Sequence, residues 1–153
     1  MSAPAPPVPL VLLLSGPNLN LLGSRQPEIY GSATLDEHVF AAASAATAHG
    51  LALEHHQSNH EGELVELVQG ARGRCAAVVV NAAALTHYSR ALADALACFE
   101  GVVVELHLSN PNAREAWRHT SVVAPVADGT IAGFGQLGYT LAIHAVAHLL
   151  EGR

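Results

Sequence analysis

The chain contains no lysine. All seven of its basic residues are arginine, set against 13 acids for a formal net charge of −6. Without lysine the protein forms no lysine Schiff base, which removes pyridoxal phosphate enzymes and Lys-imine aldolases or dehydratases. A phosphate loop of the G-x-x-x-x-G-K-[ST] type is excluded for the same reason. The acidic balance argues against nucleic acid as a partner. Cysteine is scarce, and Cys75 and Cys98 form no C-x-x-C pair, so neither a disulfide framework nor a structural zinc site is indicated. Charged residues make up only 13% of the chain, too few for a disordered or coiled-coil protein. The apolar stretch from Val8 to Leu14 is too short to span a membrane. Residues 1–9 are rich in Ala and Pro and lack a basic n-region, so they read as a disordered tail rather than a signal peptide. A soluble protein of the cytoplasm is expected.

What remains is apolar. Half of the 153 residues are hydrophobic, enough to build the core of one domain over 10–153. Short β-rich runs alternate with longer helical patterns. Strands are expected at Pro9–Leu14, Leu51–His56, Cys75–Val80 and Val102–Leu108, with a fifth inside Thr120–Ile131. Helices are expected at Thr34–His49, Glu61–Arg72, Ser89–Phe99 and Gln136–Leu150, with a short one at Ala113–His119. Thr34 and Glu37 have the spacing of a capping box, and Gly50 stops that helix. Such alternation implies βαβ units: an α/β fold with a five-stranded parallel sheet in a flavodoxin-like, three-layer α/β/α arrangement.

In that architecture ligands bind outside the carboxyl ends of the strands. Asn18 and Asn20 follow the first strand, and Gln57-Ser58-Asn59-His60 follow the second. Asn81, Thr86 and His87 follow the third, and His107, Ser109 and Asn110 end the fourth. Amides, hydroxyls and imidazoles thus collect on one edge of the sheet, as a small ligand rich in hydroxyl groups requires.

Glu105, His107 and Ser109 alternate along the fourth strand and share one face. Polar residues inside a doubly covered sheet are costly unless paired or functional. Two readings follow: an open edge strand with a wet face, or His107 as a general acid or base. The loop Gly23–Gly31 carries Arg25 and Tyr30. A phenol titrates near about pH 10, and a close guanidinium favours the phenolate. The pair is either an activated base or part of an ordinary surface loop. Arg114 and Arg118 have the spacing of one helical face, either to hold a carboxylate and hydroxyls or to face solvent. His144 and His148 lack an H-E-x-x-H context and read as helix packing or surface. His55, His56 and His60 read as surface.

These stretches resemble the type II 3-dehydroquinate dehydratases, from about Val11 to Leu150. The resemblance lies in Gly16-Pro17-Asn18-Leu19-Asn20-Leu21-Leu22-Gly23, Arg25-Gln26-Pro27-Glu28-Ile29-Tyr30-Gly31 and Gln57-Ser58-Asn59-His60-Glu61-Gly62-Glu63-Leu64. Asn81 with Leu85-Thr86-His87, Glu105-Leu106-His107-Leu108-Ser109-Asn110, Ala113-Arg114-Glu115 with Arg118, and Gly133-Phe134-Gly135 with Gly138-Tyr139 complete it. The resemblance implies a cofactor-free, metal-free dehydration of 3-dehydroquinate in aromatic amino acid biosynthesis, or the same step in quinate breakdown. It also implies a homododecamer built as a tetramer of trimers.

By the same resemblance Tyr30 is the base that takes the C2 proton, and Arg25 holds it as phenolate. Asn18 stabilises the enolate through water, and His107, assisted by Glu105, protonates the departing hydroxyl. Asn81, His87 and Arg118 bind substrate hydroxyls, Leu108 and Ser109 its carboxylate, and Asp94 reaches a neighbouring subunit's site. Arg114 matches a family arginine to which the resemblance assigns no role. The Arg25–Tyr30 loop acts as a lid. The chain departs from the family at Ala82-Ala83-Ala84, where a glycine is usual after the strand-three Asn. It also departs at Ala93, at Pro111-Asn112 and at Val122. The rival is a non-catalytic flavodoxin-like module. A flavin carrier, however, wants a Ser/Thr-rich loop after the first strand, and a receiver domain wants clustered acids and a lysine.

Overall fold

The computed structural model describes residues 1–153. Five parallel strands form one sheet: β1 (Leu10–Ser15), β2 (Ala52–Gln57), β3 (Ala77–Asn81), β4 (Val102–His107) and β5 (Gly129–Ala132). Their order is β2-β1-β3-β4-β5, the flavodoxin-like order. The helices are α1 (Pro27–Tyr30), α2 (Leu35–Ala48), α3 (Glu61–Ala71), α4 (Arg90–Ala97) and α5 (Leu137–Glu151). No helix is long and apolar enough to cross a membrane.

Alternation along the strands sorts the core into two layers. Val11 and Leu13 of β1 pack with Ala42 of α2 and Ile143 of α5 on one face of the sheet. Leu12 and Leu14 pack with Leu64 of α3 and Leu92 of α4 on the other. The capping box forms as expected: Thr34 N–H donates to Glu37, and Glu37 N–H donates to Thr34 Oγ1. Gly50, at φ 70°, follows the end of α2.

Two expectations are corrected, and a third is located. β4 lies between β3 and β5 and is buried along its whole length, so it is not an open edge strand. The helix expected at Ala113–His119 is instead two 3₁₀ turns, Pro111–Ala113 and Ala116–Arg118. Between them Arg114 is extended at φ −120°, ψ −162°, so Arg114 and Arg118 do not share a helical face. Within Thr120–Ile131 the strand begins only at Gly129, after a turn at Ala124–Val126 that holds Pro125.

At the carboxyl edge the chain leaves β1 toward β2 on one side, and β3 lies on the other. Ser15 pairs with Asn81 there, so the loops after β1 and β3 meet. They meet closely: a Cβ on Gly16 would stand 2.5 Å from the Ala82 carbonyl oxygen. Only glycine permits that approach.

Candidate active site

One cleft opens at this switch point. The β1 loop brings Asn18, the segment before α2 brings Arg25 and Tyr30, and the end of β3 brings Asn81 and His87. β4 and the turns beyond it add His107, Leu108, Ser109, Arg114 and Arg118. Three of the chain's seven arginines line it, which makes a cationic site on an acidic protein and favours an anionic ligand. Glu105 lies behind His107 and does not line the cleft. Asp94 is exposed on α4 and lines a separate groove with Arg72 and Cys98, so its own chain does not bring it to the cleft. The residues Gln57 to His60 also stay outside.

Tyr30 has two cationic neighbours. Arg114 Nη1 donates to its hydroxyl at 2.9 Å, while the Arg25 guanidinium lies over the ring, 4.8 Å from its centroid. The sequence pointed to Arg25 as the partner of the phenol oxygen, but the contact is made by Arg114. Arg114 Nη1 also donates to Ser109 Oγ at 3.2 Å.

His107 is backed by a buried carboxylate. Its Nε2 lies 3.1 Å from Glu105 Oε1, and Glu105 is only 2% exposed. The other oxygen, Oε2, accepts from Ser121 Oγ at 2.6 Å and from Thr86 Oγ1 at 3.1 Å. Burial pushes the Glu105 carboxyl up, but the bonds from His107, Ser121 and Thr86 outweigh it and hold it below the usual range. Sequence reasoning missed Ser121 and Thr86 as its partners; they lie 16 and 19 residues from Glu105.

His87 donates through Nδ1 to the Thr120 carbonyl at 2.7 Å. Burial pushes its imidazole below the usual range, against the pull of that carbonyl. It is therefore neutral near pH 7, and with Nδ1 protonated its Nε2 is an acceptor. The sole tryptophan, Trp117, meets His87 edge to face at 5.2 Å and carries the Arg118 guanidinium 4.0 Å above its ring. Arg118 also pairs with Glu115.

Asn81 Nδ2 donates to the buried Tyr139 hydroxyl at 3.4 Å, and its Oδ1 accepts from Ala83 N–H at 3.3 Å. Ala83 sits at φ 53°, a left-handed conformation carried by alanine. At Val122 the backbone N–H donates to the Thr86 carbonyl at 2.8 Å. His55, expected at the surface, is partly buried with Nε2 2.9 Å from Ser15 Oγ.

The family model of dehydroquinase class II matches residues 9–147. The chain belongs to the class II dehydroquinase family. It is 50% identical over 145 residues to the 3-dehydroquinate dehydratase 2 of Pseudomonas putida, covering 95% of this chain and 97% of that one. It is 53% identical over 141 residues to the protein of the same name from Pseudomonas aeruginosa, covering 92% and 95%. Among solved structures it is similar to a type II dehydroquinase from Butyrivibrio crossotus, with a TM-score of 0.88 at 39% identity over 90% of this chain and 97% of that one. A type II dehydroquinase from Propionibacterium acnes superposes with a TM-score of 0.87 at 41% identity, covering 91% and 96%. A class II dehydroquinase with this cleft retains both a phenol and a carboxylate-backed imidazole where β1, β3 and β4 end.

Proposed function

We propose that this protein dehydrates 3-dehydroquinate to 3-dehydroshikimate, the third step of the shikimate pathway toward aromatic amino acids. The observation that carries the reading is one cleft holding two acid–base groups in different settings. Tyr30 has guanidinium groups at its oxygen and over its ring. His107 has the ionised Glu105 behind it.

Tyr30, as phenolate, takes the proton from C2 beside the ketone, and the electron pair moves into an enolate. Asn18, acting through a water, stabilises the enolate oxygen as an oxyanion hole does. The enolate collapses and the C1 oxygen leaves with a proton from His107, so one water is released and the ring gains a conjugated double bond. Glu105, 3.1 Å from Nε2, holds the imidazole in place for that step. Arg114 holds the Tyr30 oxygen, and Arg25 adds positive charge on the ring face. Asn81, Arg118 and the acceptor Nε2 of His87 take substrate hydroxyls, while Ser109 and the backbone N–H groups at Leu108 and Ser109 take the carboxylate. The segment between Gly23 and Gly31 closes as a lid and excludes water.

No step needs a metal or an organic cofactor, and a lysine imine is impossible in a chain without lysine. The protein works in the cytoplasm as a homododecamer, a tetramer of trimers in which Asp94 serves a neighbouring subunit's cleft. The exposed apolar side chains of Phe40, Tyr88 and Phe134, each 60% exposed or more, support burial between subunits.

The test is to mix purified protein with 3-dehydroquinate and follow the ultraviolet absorbance of the conjugated product. Absorbance is expected to rise equally with and without chelator and borohydride. A flat trace from folded protein, or a rise that chelator abolishes, would overturn the reading.

A further inference from the structure

The stretch Gln57-Ser58-Asn59-His60 ends the edge strand β2, and none of it lines the cleft. It is nevertheless tied to the loop that carries Asn18. Gln57 Nε2 donates to the Gly16 carbonyl and to Asn59 Oδ1, each at 3.2 Å. Asn59 Oδ1 accepts from the backbone N–H of Asn18 at 2.9 Å. The amide orientations follow from chemistry: a backbone N–H only donates and a carbonyl only accepts, so Asn59 presents oxygen and Gln57 presents nitrogen. The backbone beneath Asn59 is itself fixed. Ser58 N–H donates to the Ser15 carbonyl at 3.0 Å, and Ser58 Oγ accepts from His60 N–H at 2.9 Å while donating to Glu63.

Asn18 needs that support. It stands at φ 68°, ψ −3°, left-handed without being glycine, at the entry to the 3₁₀ turn Leu19–Leu21. From this conformation Asn18 lines the cleft. Its N–H finds its acceptor in Asn59 rather than in the turn.

We propose that Asn59 is a positioning residue for the reaction, holding Asn18 in the left-handed conformation that presents its side chain to the enolate. The inference rests on the dehydratase reading and on Asn18's part in it. Gln57 braces Asn59, and neither touches substrate.

The experiment compares Asn59→Ala and Asn59→Asp, each alone and in an Asn18→Ala background. Asn18 acts on charge that develops in the transition state, so its displacement lowers kcat and leaves KM largely unchanged. Asn59→Ala is expected to lower kcat roughly 10- to 100-fold, the scale of a misplaced catalytic group. Asn59→Asp keeps the accepting oxygen and is expected to recover most of the loss. In the Asn18→Ala background, Asn59→Ala is expected to add nothing, because the two act as one unit. An unchanged kcat in folded Asn59→Ala, no recovery with Asp, or an equal fold-loss in both backgrounds would overturn the inference. Normal turnover by Asn18→Ala would overturn it too, with the dehydratase reading intact.

Wild-type protein without turnover would instead fail the dehydratase reading. Hydrogen exchange over Gly16–Asn20 then still decides the clamp. Faster exchange in Asn59→Ala that Asp reverses supports it, and unchanged exchange overturns it.

Discussion

Arg114 joins Tyr30 to Ser109: one guanidinium nitrogen donates to the phenol oxygen at 2.9 Å and to the serine hydroxyl at 3.2 Å. The proposed base and the proposed carboxylate-binding residue are therefore held by one cation. Arg114→Ala is expected to lower kcat about a hundredfold, the scale of removing one preorganised donor. Arg114→Lys is expected to recover only part of the loss, because an ammonium lacks the planar fork. Steady-state kinetics of both variants checks this; a near-normal Arg114→Ala would leave Arg25 as the cation that matters.

Glu105→Gln keeps the shape of the buried side chain and removes its charge. His107 then loses the anion 3.1 Å from its Nε2. A fall in kcat of roughly 10- to 100-fold is expected, in the range of an impaired general acid. Circular dichroism should show an unchanged fold. An unaltered kcat would leave Glu105 a purely structural acid.

Stability is expected to fall as pH drops below about 6.5, the usual histidine value. Burial pushes the imidazoles of His38, His55 and His87 below that value. The unfolded chain therefore binds more protons in this range, and lowering the pH favours it. Glu105, whose carboxyl is held low in the fold, extends the loss below about pH 4.3. His38 is fully buried against Tyr139, ring centroids 4.9 Å apart, and neither ring nitrogen has a partner. His38→Phe keeps the stacked ring and is expected to raise stability by about 1 kcal/mol and to lessen, with His55 and His87 still present, the fall in melting temperature between pH 7.5 and 5.5. Thermal melts of the two proteins at both pH values test it.

Ala83 carries a left-handed conformation that costs a non-glycine residue about 1–2 kcal/mol. Ala83→Gly relieves it but frees the unfolded chain by about 0.4–1 kcal/mol. The expected net gain is up to about 1 kcal/mol, readable by denaturant titration. A clear loss of stability would mean that the alanine methyl contributes packing that outweighs the strain.

Trp117 is the only tryptophan and touches His87 and Arg118, so its fluorescence is expected to respond to substrate. Titrating inactive Tyr30→Phe with 3-dehydroquinate should give a saturable change. Trp117→Leu is expected to raise KM roughly 3- to 10-fold, as loss of a cation–π and an edge contact implies, with a smaller effect on kcat. No fluorescence change at saturation would place the substrate away from His87 and Arg118.

Much of this was legible in the residues. The alternation of Glu105 and His107 on an otherwise apolar strand marks a buried polar pair, and the sheet places His107 at the cleft with Glu105 behind it. Asn81 and His87 were found because they follow a strand in a fold whose sites lie at strand ends. Arg114 was harder to read, since its partner Tyr30 is 84 residues away and the local i, i+4 spacing suggested a helix that does not form. His38 gave no signal, because α2 is rich in alanine and its buried face is hard to distinguish. β5 is four residues long with Gly129 and Thr130 exposed, so no apolar run marks its start.

The most direct test of the account is Tyr30→Phe assayed beside wild type on 3-dehydroquinate. The substitution removes one oxygen, the atom assigned to take the C2 proton and the acceptor of the Arg114 bond. The account predicts that wild type turns over, while Tyr30→Phe stays folded, still binds substrate and loses essentially all turnover. A Tyr30→Phe enzyme with near-normal kcat would contradict it and place the base elsewhere in the cleft.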